Sequence, residues 1–113
     1  MTTITLFMRN NGEIDGFRAK GHAGYAEAGE DIVCAAVSAL TQATEYGLTE
    51  VIHAPVDRKL NEKRADYTVE LADSADAATR QQAQVLFKTL SGSLQSIANE
   101  YPRHIRIIFQ ERR

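Results

Sequence analysis

The chain has 113 residues, enough for one domain, residues 1–113, that buries somewhat over ~60% of its unfolded surface. Its composition, 43% hydrophobic and 25% charged, is that of an ordinary globular protein, and a net charge of −2 without a basic stripe argues against nucleic acid as a partner. A single cysteine excludes an intramolecular disulfide framework, and beside His22, His53 and His104 it matches no zinc spacing, so neither metal nor cofactor is expected.

Residues 1–9 lack the basic and long apolar regions of a signal peptide, and no apolar run approaches the roughly 20 residues of a membrane span. The simplest location is the cytoplasm, where a free thiol stays reduced.

In chain order, residues 2–9 alternate, with Ile4, Leu6 and Met8 opposite Thr3, Thr5 and Phe7, which predicts a strand. Asn10-Asn11-Gly12 is a turn signal, and residues 13–21 return as the second arm of a hairpin. Asp31 has the chemistry of an N-cap for a helix over 32–48 that ends near Gly47. Ile32, Val33, Ala36, Val37, Leu40 and Ala43 give this helix a wide apolar face of small residues, suited to close packing on a sheet and on a second copy of the chain. Residues 55–61 and 66–72 form a second hairpin; Arg58, Lys59, Lys63 and Arg64 are read as its solvated charges.

Asp73 or Ser74 caps a second helix over 75–100, with Ala83, Leu86, Leu90, Leu94, Ile97 and Tyr101 as its stripe. Pro102 ends it, and 103–110 is the last strand with Ile105, Ile107 and Phe109 inward. The order ββαββαβ predicts an α+β domain, a mostly antiparallel sheet with both helices on one face.

The chemistry concentrates in the block from Gly21-His22-Ala23 to Asp31-Ile32-Val33-Cys34-Ala35-Ala36-Val37-Ser38. With Asp31 as cap, Cys34 is the third helical residue, where backbone N–H groups have no intrahelical partner and stabilise a thiolate or an oxyanion. A helix terminus contributes only ~0.3–1 kcal/mol, short of the ~1.4 kcal/mol that a tenfold population change requires. A neighbouring imidazolium is therefore needed, and His22 is the histidine placed to supply it. His22 has the strand parity of Arg18 and Lys20, whereas Phe17, Ala19 and Gly21 take the core side. The chain must bend at Gly21 or through Gly24 for imidazole and thiol to meet.

Around this pair, the small-residue segment 23–30 suits a mobile cover. Tyr25 within it either closes over a substrate or is an exposed loop aromatic. Asp31 either caps the helix or orients the imidazole. Ser38, one turn after Cys34, either lines the site or bonds back to the Cys34 carbonyl.

The same block resembles the signature of the ribosomal-processing cysteine proteases (Prp), once known only as a domain of unknown function. The likeness lies in the Gly-His-Ala triplet, the eleven residues between His22 and Cys34, and Asp-Ile-Val-Cys, with no departure at a motif position. Length and element order agree over the whole chain. The resemblance implies a homodimeric cysteine endopeptidase with His22 and Cys34 as its dyad. It also implies the substrate, a short N-terminal extension on the precursor of large-subunit ribosomal protein twenty-seven. The residues themselves leave other classes open: a non-catalytic ribosome-assembly binder, a thiol-dependent hydrolase or redox protein acting on small molecules, and a structural dimer with an inert buried cysteine.

Overall fold

The structure, a computed structural model, describes residues 1–21 and 30–112, the side chains of residues 30 and 31 excepted. Strands β1 (Thr2–Met8) and β2 (Ile14–Lys20) are followed by helix α1 (Glu30–Tyr46), a single π-helical turn (Gly47–Val51), strands β3 (Val56–Asn61) and β4 (Asp66–Leu71), helix α2 (Ala77–Glu100) and strand β5 (Ile105–Glu111). The five strands make one sheet in the order β3-β4-β2-β1-β5. Three pairings are antiparallel, and β5 alone runs parallel to its neighbour β1. This is the α+β architecture with the element order expected.

The strand alternation is physical: Ile4 and Leu6 of β1, Phe17 of β2 and Val69 of β4 enter one core with Val33 and Val37 of α1 and Ala83, Phe87, Leu90 and Leu94 of α2. Both helices therefore cover one sheet face. Asp76, rather than Asp73 or Ser74, caps α2, its carboxylate accepting the Thr79 N–H at 2.8 Å. The seam of α2 runs through fully buried Phe87, which the expected stripe omitted, while Leu86 and Tyr101 are only half-buried. Phe109, on the edge strand β5, is 48% exposed and does not join the core. Phe7, on the opposite face, is covered by the Arg112 guanidinium 4.5 Å from its ring centroid.

Where the β1–β2 register slips between Phe7 and Met8, α2 repairs the backbone. Gln84 accepts the Ile14 N–H at 2.9 Å and donates to the Ile14 carbonyl at 2.7 Å.

Helix α1 differs from expectation at both ends. It starts at Glu30, so Asp31 is its second residue and not its N-cap, and Cys34 is the fifth helical residue rather than the third. It passes at Tyr46 into the π turn, closed by Ile52 N–H to Gly47 O at 3.0 Å. Ile32, expected on the apolar face, is 63% exposed, and Ala43 is also exposed.

Candidate active site

β2 delivers the chain to the site through Gly21, at φ +87°. That left-handed geometry turns the chain at the end of β2 and is open to glycine at little cost; Gly24, the other place where a bend was expected, lies outside the described residues. The turn is clamped on both sides. Gly21 N–H donates to Ala65 O at 2.9 Å, and the Thr2 hydroxyl donates to Gly21 O at 3.3 Å. Ala65 itself sits at φ +47°, a strained position for a residue with a Cβ, at the end of the β3–β4 turn. The next residue after Gly21 is His22, which with Tyr25 and the rest of 22–29 lies outside the described residues.

Cys34 is a free, partly exposed thiol one helical turn into α1. Its own N–H belongs to the helical ladder at the fifth position, but Cβ vectors lean toward a helix N-terminus, so its side chain leans toward the first turn, whose N–H groups have no partner within the helix. Asp31 falls in that turn, where a negative charge is favoured by the helix dipole. The Asp31 side chain is outside the described residues. Across the gap, Sγ of Cys34 is 3.8 Å from the Thr2 hydroxyl.

Cys34, Gly21 and Ser38 border one groove of about 640 Å³ between α1 and the β3–β4 end of the sheet. Along α1 it runs from Cys34 to Gln42, about 12 Å at 1.5 Å per residue. Three to four residues of extended chain, at about 3.3 Å each, match that length. Ser38 lines the wall, its hydroxyl accepting the Gln42 amide at 2.6 Å.

The far wall carries Arg58 of β3 and Tyr67 of β4, and Glu45 of α1 ties the two together. Glu45 of α1 accepts from the Tyr67 hydroxyl of β4 and pairs with Arg58 of β3, Nε to Oε2 at 2.7 Å. Arg58 also lies 5.4 Å from the centroid of the Tyr67 ring. It is thus tied into the groove wall, not simply solvated as its hairpin charge implied. Burial first, then the Glu45 carboxylate, push the Tyr67 phenol far above its ordinary range, which keeps it protonated as the donor.

On the sheet's other face, Arg18 grips Asp66 through Nε–Oδ1 at 2.8 Å and Nη2–Oδ2 at 2.6 Å, tying β2 to β4 just before Gly21. The guanidinium hydrogen bonds hold the Asp66 carboxyl below its usual range. A depressed folded-state value stabilises the fold above the ordinary carboxylate range, and the gain is lost as pH falls through the folded value. Arg18 is 40% exposed, so the effect is small. Asp66→Asn is expected to melt slightly lower than the parent at pH 7 and level with it near pH 2, by thermal melts at both pH values.

Sequence reasoning did not single out Thr2, Glu45, Arg58 and Tyr67 as one site. For Thr2 a signal exists: it shares the parity of Ile4 and Leu6, which places a hydroxyl on the core face of β1. Among the described residues no group of three or more His, Cys, Asp or Glu is arranged to hold a metal ion, and no helix is long and apolar enough to cross a membrane.

The family model for cysteine protease Prp matches residues 1–106. The ribosomal processing cysteine protease Prp of Bacillus subtilis (strain 168) is 28% identical over 107 residues, covering 95% of this chain and 96% of the relative. The solved structure of the essential ribosomal processing protease Prp from S. aureus with a substrate peptide superposes at a TM-score of 0.86 and 24% identity, over 97% of this chain and all (100%) of that one. The same S. aureus protease with a covalently linked product peptide gives a TM-score of 0.82 at 25% identity, with 97% and 100% coverage. A thiol at the head of a groove of peptide dimensions, in this fold and under this family model, has one reading: the chain belongs to the cysteine protease Prp family and is a cysteine protease.

Proposed function

We propose that this protease is an endopeptidase of the cytoplasm, acting as a homodimer, that removes a short N-terminal extension from the precursor of large-subunit ribosomal protein twenty-seven. Cys34 is its nucleophile and His22 its base. The observation that carries this reading is the position of the Cys34 thiol, partly exposed at the head of a groove that fits a short extended peptide. The relatives' role in ribosomal processing supports the substrate. Exposed Ile32, Ala35 and Ala39 on α1 supply small apolar surface suited to a second copy.

The reaction is acyl transfer. His22 takes the proton from the Cys34 thiol, and the sulfur forms a bond to the scissile carbonyl carbon. The carbonyl oxygen becomes an oxyanion, held by free N–H groups of the first turn of α1. As it collapses, the C–N bond breaks and His22 gives its proton to the leaving amine, which is the N-terminus of the mature ribosomal protein. Water, deprotonated by His22, then hydrolyses the thioester and restores the thiol. Ser38 lines the groove that takes the peptide, and Tyr25 is the loop aromatic assigned to cover it.

Incubation of the protein with the extended precursor, followed by intact-mass analysis, is expected to show the precursor shortened by its N-terminal segment, with that segment released. A precursor bound but unchanged in mass contradicts the reading and fits an assembly-binding protein.

A further inference from the structure

We propose that Thr2 is a positioning residue for the Cys34 thiol, its hydroxyl linking the nucleophile to the backbone that delivers His22. The inference rests on the proposed catalytic pair. Thr2 is 3% exposed and stands on the core face of β1, where an apolar residue is the ordinary occupant. Its backbone is pinned by its N–H to His104 O at 2.9 Å and by pairing with Ile105 of β5. The hydroxyl is therefore presented from a fixed strand. It reaches two groups, Gly21 O at 3.3 Å and Cys34 Sγ at 3.8 Å.

A hydroxyl has one proton to give and lone pairs to receive. With Cys34 as a thiol, the S–H donates to Thr2 Oγ1 and the Thr2 O–H donates to Gly21 O. Once His22 has taken the sulfur's proton, nothing remains on sulfur to donate. The Thr2 O–H then turns from the carbonyl to the thiolate, exchanging a neutral bond for a charge-assisted one. Gly21 O, released by that turn, belongs to the peptide bond that leads into His22. Thiolate formation and the backbone beside the base are thus coupled through one side chain. No covalent bond to Thr2 forms or breaks.

Thr2→Val keeps the shape and removes the hydroxyl, and Thr2→Ser keeps the hydroxyl. Loss of one hydrogen bond to a charged group is expected to slow Cys34 alkylation by iodoacetamide at neutral pH about tenfold, and to lower kcat for precursor cleavage by about the same factor with KM unchanged. Thr2→Ser is expected to recover most of both losses. Wild-type alkylation by Thr2→Val overturns the proposal. So does a rise in KM alone, or a Thr2→Ser variant no better than Thr2→Val. If the parent protein leaves the precursor intact while the alkylation pattern holds, the substrate assignment fails and the role of Thr2 stands.

Discussion

Cys34→Ala is expected to fold as the parent does and to lose peptide cleavage by at least about a thousandfold, since Cys34 is the one cysteine of the sequence. The substitution removes one sulfur from a partly exposed position of α1, at a site where alanine is the best helix former. The core seam of α1 is carried by Val33 and Val37, and these are untouched. Circular dichroism melts are expected to match, while chromatographic assay of an extended precursor peptide shows no product above background. Cys34→Ser is expected to behave alike, because a serine hydroxyl holds its proton far more firmly than a thiol. Cleavage retained by Cys34→Ala would remove the thiol from the chemistry.

Gly21→Ala is expected to be nearly as damaging, by a different route. At φ +87° a residue with a Cβ already loses roughly 1–2 kcal/mol. Here the added Cβ would also stand 2.7 Å from Met1 O, a backbone atom that cannot swing aside. The start of β1 must shift, and with it Thr2 and the approach to His22. Displacements near 1 Å around a reacting pair cost about a hundredfold in rate. The expected result is a lower melting temperature together with a loss of kcat/KM of that order. Gly12 supplies the control: it has φ +88° but nothing within 4 Å of the added Cβ. Gly12→Ala is therefore expected to lose some stability and keep its activity. Equal effects of the two substitutions would show that strain alone, and not the crowding at Gly21, matters.

Much of this fold is legible in the sequence. The alternation of Ile4 and Leu6, and of Val69 and Leu71, gave strands because one sheet face is buried and one is not. Helix boundaries were less legible. Asp31 is a good cap by residue type, but α1 begins at Glu30 rather than Ile32, so capping chemistry misplaces the start by two positions and Cys34 is fifth rather than third. The π turn after Tyr46 has no pattern of its own. Phe87 escaped because it lies one residue off the Leu86–Leu90–Leu94 row, and only the packing of α2 on the sheet decides which row faces inward.

At the site, parity and glycine point to a bend at Gly21 or through Gly24, and Gly21 has a positive φ. The clamps on Gly21 are not legible, since Thr2 and Ala65 lie 19 and 44 residues away in sequence. The Glu45–Arg58–Tyr67 wall was equally hidden. Each of its members reads alone as an ordinary surface or strand residue, and only topology gathers them.

The central claim is that His22 draws the proton from the Cys34 thiol. The most direct test is the rate of Cys34 alkylation by iodoacetamide at neutral pH, followed by intact mass, in the parent and in His22→Ala. The parent is expected to react at least about tenfold faster. Equal rates in the two proteins would mean that imidazole and thiol never meet, and would contradict the claim.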